Sequence, residues 1–394
     1  MERDHRKIGQ QLELFMFSDL SPGSPIWLDR GNTVLNLLAD AMRQMNRENG
    51  YIEVKTPVLW KTDLYATSGH LDHYRENMFL VQSEDTEYAL KPMNCPGHMV
   101  IFAAGKYSYR ELPLRMSDFG VLHRNESSGS LGGLTRCRAF CQDDAHCFVK
   151  PEDVLPEITS IIRMIRKLYK AFNFELKAAL STRPKSFMGE ESVWQKAEQD
   201  LKDALASEQQ LYDINEGDGA FYGPKIDFTV TDSLGRSWQT ATIQLDFQLP
   251  KRFGLKYVGA DNKDHEPIVI HRALCGSFER FIGILLEHLD GKLPDWLAPV
   301  QVAILPIADR HISHCNDLAT SLNNQGVRVE VYSQAATLNQ KVLISQTYKI
   351  PYALVVGDKE IESHKVAVRT LDGQNNSMFF SDFFTNITHV ERPF

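Results

Sequence analysis

Two strand-like segments joined by a glycine-rich loop are the feature that most constrains how this chain can fold. The first ends at Arg124, the loop occupies residues 127–133, and the second segment spans residues 136–146. Successive side chains of a strand point to opposite faces. One face would therefore carry Arg136, Gln142, Asp144 and His146, and the other Cys137, Cys141 and Cys147. Burying such a polar row without partners is costly, so this face is either a solvated sheet surface or part of a binding site.

A second feature is the pentapeptide Gly-Ser-Phe-Glu-Arg at residues 276–280. Small residues followed by an arginine near a helix N-terminus suit an anion, and arginine can hold phosphate oxygens through two hydrogen bonds. Taken alone, the pentapeptide fits a surface salt bridge of Glu279 or Arg280 better. The apolar spacing around it predicts a helix that begins at His271 and runs to Leu289.

The pattern of the chain changes at residues 293–299, which we interpret as a linker. Before it, amphipathic helices alternate with strand-rich segments, and residues 51–57 are expected to form a strand that Pro57 restricts to an edge or an end. After it, strands and helices alternate, which predicts a small α/β domain with a largely parallel sheet. The expected helices are 32–49, 156–172, 191–210, 312–323 and 335–348, and the expected strands of the second part are 301–306, 327–331, 352–356 and 365–370.

Composition excludes several classes of protein. No apolar run approaches a membrane span, and the first 17 residues lack a secretory signal. A net charge of −8 does not indicate a nucleic-acid-binding protein, although a local basic surface would be compatible with it. The six scattered cysteines contain no CxxC pair and indicate reduced thiols. We expect a cytoplasmic protein, or one of an organellar matrix if a transit peptide has been removed.

These features together resemble the class II aminoacyl-tRNA synthetases. The helix ending at Gly50 with its following strand resembles motif 1 of that class, residues 115–146 resemble motif 2, and residues 276–299 resemble motif 3. Further segments resemble the threonyl-tRNA synthetases in particular: KPMNCPGHM (91–99), TSGHLDHY (67–74), CQDDAHCF (141–148), FYGPKIDF (221–228), WQTATIQLDF (238–247) and VIHRALCGSFERF (269–281). The resemblance implies an α+β catalytic domain with an antiparallel sheet, residues 1–297, followed by a small α/β anticodon-binding domain, residues 298–394.

The resemblance also implies one Zn²⁺ per subunit, held by Cys95, His146 and His271. A thiolate and two imidazoles leave a fourth position open, as in catalytic zinc sites. The amino and hydroxyl groups of threonine could both coordinate the ion, whereas valine has no hydroxyl to do so. A site that must fill a polar position rejects such an analogue by roughly 10⁴–10⁵-fold. Cys147, Cys275 and His98 remain alternative ligands.

Further residues are assigned to the two small substrates by resemblance. Asp144 would receive the ammonium group of L-threonine, and Asp143 beside it is expected to cap a turn. His70 would lie near the terminal ribose of the tRNA, as a general base or as a hydrogen-bonding partner. Mg²⁺ is expected on the phosphates of ATP. The remaining assignments are Arg124, Glu126, Arg136, Gln142, Gln244 and Arg280 for ATP, and Met93, Tyr222, Lys225, Gln142 and Gln244 for the amino acid and its activation.

In the second domain, Glu360 and Arg369 would contact the anticodon of tRNA(Thr). Residues 334–339 depart from the family, and Ala335 cannot make the hydrogen bond expected there. Motif 1 implies a homodimer, and no membrane partner is expected. Because the chain begins just before the catalytic core, we expect a short form without the N-terminal editing region of longer relatives.

The leading interpretation is therefore a threonine–tRNA ligase that forms threonyl-adenylate and does not edit. The main alternative is a synthetase-like regulatory or RNA-binding paralogue without aminoacylation, which the presence of every expected arginine and metal ligand disfavours. Delivery of threonyl-adenylate to a carrier protein is disfavoured by the anticodon-type domain. Glycyl-, prolyl- and histidyl-type synthetases are disfavoured by the three zinc-ligand positions.

Overall fold

The computed structural model describes residues 3–389 and 393–394. Within them the α-helices are α1 His5–Gln11, α2 Asp29–Glu48, α3 Asp63–Ser68, α4 His70–Tyr74, α5 Cys95–Ala104, α6 Val154–Ala171, α7 Glu191–Ser207, α8 Leu249–Arg252, α9 Phe278–His288, α10 Ile312–Asn323, α11 Leu338–Thr347, α12 Asp358–Ser363 and α13 Phe380–Thr388. The strands are β1 Phe15–Met16, β2 Ile26–Trp27, β3 Ile52–Glu53, β4 Leu59–Lys61, β5 Leu80–Ser83, β6 Thr86–Leu90, β7 Tyr107–Ser108, β8 Leu114–Asp118, β9 Val121–His123, β10 Ala139–Val149, β11 Glu175–Ser181, β12 Tyr212–Asn215, β13 Lys225–Thr231, β14 Ser237–Asp246, β15 Tyr257–Val258, β16 Asp264–His265, β17 Ile268–Ser277, β18 Val302–Pro306, β19 Val329–Val331, β20 Tyr352–Val356, β21 Lys365–Thr370 and β22 Asn375–Phe379.

The described residues divide into two compact units. One comprises the described parts of Met1–Met16, Ile26–Asp40 and Leu285–Pro393, and the other comprises Phe17–Pro25, Ala41–Ile284 and Phe394. No helix among the described residues is both long and apolar enough to cross a membrane.

The larger unit is organised around one mostly antiparallel sheet with the strand order β12–β11–β13–β14–β17–β10–β8–β3. The pairs β11–β12 and β3–β8 are parallel. Strand β17 lies between β14 and β10, and its residues Ile268–Cys275 are all buried. The prediction of a helix from His271 is therefore wrong, because α9 begins only at Phe278. A strand buried on both faces has a continuous apolar sequence that periodicity cannot distinguish from a buried helix.

Helices α5 and α6 pack on this sheet and hold its central strands. Helix α6 packs on β17 and buries residues at spacings of three and four, including Ile158, Ile161 and Ile165. Helix α5 packs through Phe102, whose ring stacks on Phe148 of β10 with the centroids 4.4 Å apart. An aromatic pair of this kind contributes about 0.5–1.5 kcal/mol beyond the burial of its area. This contact holds the C-terminal part of α5 on β10, and His98 in its first half contacts His146 of the same strand.

The segment that resembles motif 1 contains a shorter strand than the sequence predicts. Helix α2 is followed by Gly50 with a φ of 74°, a left-handed conformation that glycine adopts without strain. The segment expected to be a strand at 51–57 contributes only Ile52–Glu53, paired with β8 at the edge of the sheet. Position at the edge agrees with the restriction that Pro57 imposes.

The smaller unit contains a sheet with the order β19–β18–β20–β21–β22. Strands β18, β19 and β20 are parallel, whereas β21 and β22 are antiparallel to their neighbours, so the sheet is mixed rather than largely parallel. The antiparallel pairing of β21 with β22 follows from the short hairpin that joins them, which antiparallel strands permit and parallel strands do not. The hydrophobic core of the smaller unit contains Ile304, Leu318, Leu354 and Val366.

Candidate active site

Three neighbouring strands of the larger unit bring the polar side chains of the site together. In β10, Asp144 pairs with Ala273 of β17 and His146 pairs with His271. On the other side of β17, Gln244 of β14 also pairs with His271. Because paired residues point to the same face of a sheet, residues far apart in sequence meet on one face. Helix α5 adds Cys95 at its first position.

An irregularity in the pairing of β10 with β17, where β17 carries extra residues, surrounds Asp143. The register between β10 and β17 shifts between Gln142 and Asp144, and Asp143 points away from the face that carries them. Its carboxylate accepts hydrogen bonds from the backbone N–H groups of Leu274 and Cys275, at 2.9 and 3.2 Å, and from Arg272 Nη1 at 2.7 Å. The prediction of a turn-capping aspartate is therefore wrong: Asp143 is a buried ion-pair partner.

Arg272, which the sequence did not single out, completes this buried network. Its guanidinium also donates to Asn46 Oδ1 and lies over the ring of Tyr51, 4.5 Å from the centroid. Asp143 and the Arg272 side chain are fully buried. The pair connects the irregular part of the β10–β17 pairing to helix α2 and to the segment after it.

Cys95, His146 and His271 form a compact cluster that could hold a metal ion. One potential ligand atom from each residue lies within 4.8 Å of the other two, and all three residues are buried. Burial raises the pKa of the Cys95 thiol well above its ordinary value, and a bound cation would act in the opposite direction by stabilising the thiolate. A thiolate and two imidazoles are a suitable donor set for Zn²⁺.

The three alternative ligands lie outside this cluster. Cys147 points to the opposite face of β10, with Sγ 3.4 Å from the hydroxyl of Tyr51. The backbone N–H of Cys275 is bonded to Asp143. His98 lies directly behind His146, with the two Nδ1 atoms 2.7 Å apart.

A cavity of about 170 Å³ opens onto the cluster. Asp144 lies in its wall, almost fully buried, and Asn94 Nδ2 donates to its Oδ2 at 3.1 Å. Burial raises the pKa of the Asp144 carboxyl, so the ionised form would be stabilised by a cationic ligand. The Tyr222 hydroxyl donates to Gln244 Oε1 at 3.1 Å. The lining residues are Met93, Cys95, Arg124, Gln142, Asp144, His146, Tyr222, Thr242, Gln244, His271, Arg272 and Ala273.

A second cavity, of about 290 Å³, shares Arg124 and Gln142 with the first. It is rich in arginine, and Glu126 accepts from Arg136 Nε at 2.9 Å. Arg280 Nη1 donates to the Thr135 carbonyl at 3.0 Å, and burial together with the nearby Arg136 lowers the pKa of Arg280. The lining residues are Arg124, Glu126, Thr135, Arg136, Cys137, Phe140, Gln142, Ser277 and Arg280.

Two expected catalytic residues line neither cavity. His70 is buried, with Nδ1 2.7 Å from Ser68 Oγ and Nε2 3.2 Å from the sulfur of Met93, which does line the smaller cavity. Burial lowers the pKa of His70 to about 4. Lys225 begins β13 and forms an ion pair with Asp227 at 2.7 Å.

The two expected anticodon residues belong to the smaller unit. Glu360 lies on α12, where its Oε2 accepts from the N–H of Gly357 at 3.0 Å and so caps its own helix. Arg369 lies on β21 and pairs with Ala353 of β20.

Several residues of the site were missed by the sequence analysis. Thr242 lines the smaller cavity, and Asp246 Oδ2 lies 2.9 Å from His271 Nε2. Both lie two positions from Gln244, so the period-two pattern of a strand would have placed them on the same face. Phe140, whose ring lies 5.0 Å below the Arg124 guanidinium, could have been found in the same way from Gln142.

Comparison with known proteins identifies two protein families that match the chain. Residues 79–289 match the family described as "tRNA synthetase class II core domain (G, H, P, S and T)", and residues 301–389 match the family described as "Anticodon binding domain". The chain is 49% identical over 391 residues to the threonine–tRNA ligase of Thermotoga neapolitana, covering 99% of this chain and 61% of that protein. It is 48% identical over 375 residues to threonine–tRNA ligase 2 of Bacillus subtilis, covering 95% and 59%.

A solved structure extends the similarity to three dimensions. The crystal structure of the RNA-binding domain of threonyl-tRNA synthetase from Cryptosporidium parvum Iowa II matches with a TM-score of 0.95 and 43% identity, over 98% of both chains. The chain spans about three fifths of the length of the curated relatives it matches. On this sequence identity, fold and coverage, the chain belongs to the threonyl-tRNA synthetase family of class II aminoacyl-tRNA synthetases.

Proposed function

We propose that the chain attaches L-threonine to tRNA(Thr) through a threonyl-adenylate formed with ATP. The observation that carries this proposal is the pair of adjacent cavities that share Arg124 and Gln142. One cavity offers arginines to a polyanion, and the other offers a buried carboxylate and a thiol–imidazole cluster to a small amine. A carboxylate of the amino acid placed at their junction would lie next to the α-phosphate that it attacks.

Arg124 and Arg280 would bind the phosphates of ATP, with Mg²⁺ on the pyrophosphate oxygens. The Nε atom of Arg280 is buried and makes no hydrogen bond within the described residues. A buried guanidinium of this kind gains from an anionic ligand. As pyrophosphate leaves, the two guanidinium groups would stabilise the charge that develops on it. Arg136 and Gln142 would assist there, and Glu126 would contact the adenine amino group.

Asp144 would receive the ammonium group of threonine, because a buried carboxylate is stabilised by an opposite charge. Met93, Tyr222 and Gln244 would complete the wall around the substrate. Cys95, His146 and His271 would hold Zn²⁺. The ion would supply a polar position for the amino and hydroxyl groups of threonine, which valine cannot fill.

For the transfer to tRNA we propose a hydrogen-bonding role of His70 rather than that of a general base. A base whose conjugate acid has a pKa of about 4 accepts a proton weakly at neutral pH. The Nε2 atom of His70, which lies 3.2 Å from the sulfur of Met93, would make that hydrogen bond to the terminal ribose of the tRNA. Lys225 remains a predicted substrate contact, and its bond to Asp227 would have to loosen to allow this.

Beyond the catalytic site, we propose that residues 1–297 form the catalytic domain and residues 298–394 the anticodon-binding domain. Glu360 uses Oε2 to cap α12, so contact with a base would fall to Oε1, and Arg369 would contact a second base. A homodimer formed through motif 1 also remains a prediction, supported by the half-exposed side chain of Ile52 on the edge strand β3.

The deciding experiment is ATP–pyrophosphate exchange with threonine, serine and valine on zinc-loaded and chelated protein. We expect exchange with threonine, weaker exchange with serine and none with valine, and loss of exchange after chelation. Zinc-bound, folded protein that is silent with all three amino acids would favour the non-aminoacylating paralogue instead. Editing activity is measured separately, by incubating preformed seryl-tRNA with this chain and following its hydrolysis.

A further inference from the structure

We propose that His98 and Asp246 are positioning residues that fix the tautomers of the two histidines in the Cys95 cluster. Each would accept a hydrogen bond from the N–H of one histidine, on the side of the ring that faces away from the cluster. The other ring nitrogen then keeps its lone pair and faces inward. This inference rests on the proposed zinc site and extends it to two residues outside the ligand set. A neutral imidazole has one N–H and one lone pair, and only the lone pair can bind a metal.

The distances between ring nitrogens define which atoms face inward. His146 Nε2 and His271 Nδ1 lie 2.9 Å apart, close enough to bind one ion, and we take them as the ligand atoms that face inward. The opposite nitrogens each have a partner of their own: His146 Nδ1 lies 2.7 Å from His98 Nδ1, and His271 Nε2 lies 2.9 Å from Asp246 Oδ2. If both inward nitrogens carry lone pairs, both outward nitrogens must be donors.

Asp246 is held in a way that leaves it only one role toward His271. Its Oδ1 accepts the backbone N–H groups of Gln248 and Leu249, at 2.7 and 3.0 Å, at the start of α8. The residue is completely buried. Since an ionised carboxylate only accepts hydrogen bonds, its Oδ2 requires the proton of His271 on Nε2 and leaves the lone pair on Nδ1.

His98 would fix the tautomer of His146 in the same way, by accepting a hydrogen bond from its outward-facing nitrogen. His98 Nδ1 must accept from His146 Nδ1, which places the proton of His98 on Nε2. That nitrogen lies 3.9 Å from Asp118 Oδ2. The Asp118 carboxylate is paired with Lys91 at 3.4 Å and accepts from the Thr56 hydroxyl at 2.7 Å. A proton on His98 Nε2 therefore faces a negative charge.

His98 was an alternative ligand in the sequence analysis, and its position on the helix explains why it lies near the cluster without belonging to it. Cys95 and His98 are three residues apart on α5 and therefore lie on the same side of the helix. Cys95 reaches the cluster, whereas His98 reaches the far side of His146. Partners of this kind orient the ligating ring and increase its basicity, and their loss typically weakens metal affinity by 10- to 100-fold.

The test is the affinity of the purified apo-protein for Zn²⁺, measured by competition with a chromophoric chelator. In Asp246→Asn the two backbone N–H groups would hold the amide oxygen, so the amide N–H₂ would donate to His271 Nε2 and force the wrong tautomer. We expect zinc binding to weaken by about 10- to 100-fold. Asp232→Asn is the matched control, because Asp232 is also buried and accepts backbone N–H groups, from Leu234 and Arg236. It should leave the affinity within about twofold, well below the effect expected for an outer partner.

His98 is tested by a pair of variants that differ in one acceptor. His98→Leu removes the acceptor and should weaken binding by about 10- to 100-fold. His98→Asn places an amide oxygen close to the position of Nδ1 and should restore most of the affinity. This pair decides the question even if Asp246→Asn does not fold, which circular dichroism would reveal.

Cobalt substitution separates a positioning residue from a ligand. Co²⁺ bound to the His98 and Asp246 variants should retain the thiolate charge-transfer band and the coordination number of the parent, with shifted d–d bands. His146→Ala should change the coordination number. Unchanged zinc affinity in both His98→Leu and Asp246→Asn would overturn the proposal, and so would a His98→Leu spectrum that matches that of His146→Ala. Failure of the parent protein to bind zinc would refute the proposed metal site itself, a result distinct from either of these.

Discussion

Glu279 gives a stability prediction whose size and sign both follow from the structure. Its side chain lies in the first turn of α9, is almost fully buried, and accepts the backbone N–H of Cys141 at 3.0 Å. Burial raises the pKa of Glu279 from an ordinary value of 4.5 to about 7, although backbone hydrogen bonds lower it in part. Folding therefore disfavours the charged form of this residue.

The direction of the pH dependence follows from proton counting. Between about pH 4.5 and pH 7 the folded state keeps a proton that the unfolded state has released, so stability falls as pH rises through this window. With about 1.4 kcal/mol for each pH unit, the loss approaches roughly 3 kcal/mol above pH 7. Between pH 5.5 and pH 8, the part accessible to experiment, the loss is roughly 2 kcal/mol. Glu279→Gln removes it, because glutamine does not titrate.

Calorimetry of the parent protein and Glu279→Gln at pH 5.5 and pH 8 would measure this effect. In a unit of this size 1 kcal/mol moves Tm by about 2–4 °C. The variant should therefore gain about 4–8 °C relative to the parent between the two pH values. Glu157→Gln is the control, because Glu157 is equally buried but bonded to Arg115 at 2.7 Å through both oxygens, and it should lose stability at pH 8. A Tm difference between Glu279→Gln and the parent that stays constant across pH would refute the reasoning.

Three further predictions concern the site and its support. Arg280→Lys keeps a positive charge but loses the guanidinium fork, and should lower kcat/KM in ATP–pyrophosphate exchange by about 10²–10³-fold; an unchanged value would contradict phosphate binding there. Asp144→Asn should cost about 2–5 kcal/mol of threonine binding, seen as a higher KM for threonine with little change in the KM for ATP. Asp143→Leu leaves Arg272 as an unpaired buried charge and should lower the free energy of unfolding by about 3–5 kcal/mol. Urea titration would show this loss, and the double variant with Arg272→Met should recover much of it.

Local periodicity predicted the parts of the fold that depend on neighbours in sequence. The helix that ends before Gly50 and the polar face of β10 with Gln142, Asp144 and His146 were found in this way. The prediction failed for β17, because a strand that is buried on both of its faces carries no polar–apolar alternation.

The pairing of distant charges could not be read from the sequence. Asp143 and Arg272 are 129 positions apart. Strand alternation places Asp143 on the face opposite Asp144, but nothing local shows that Arg272 is its partner there. The irregular pairing of β10 with β17 brings the two together, and such irregularities depend on the partner strand. The metal-site residues were assigned by family resemblance rather than by spacing, since their separation in sequence is unlike that of a zinc finger.

Because Arg124 and Gln142 belong to the walls of both cavities, a single inhibitor could span them. A compound that joins an amine-bearing fragment to an anionic one would pay the entropic cost of association only once, and its second half would bind at a high effective concentration. The linker between the two fragments would have to form hydrogen bonds with the Arg124 guanidinium and the Gln142 carboxamide, where the two cavities meet.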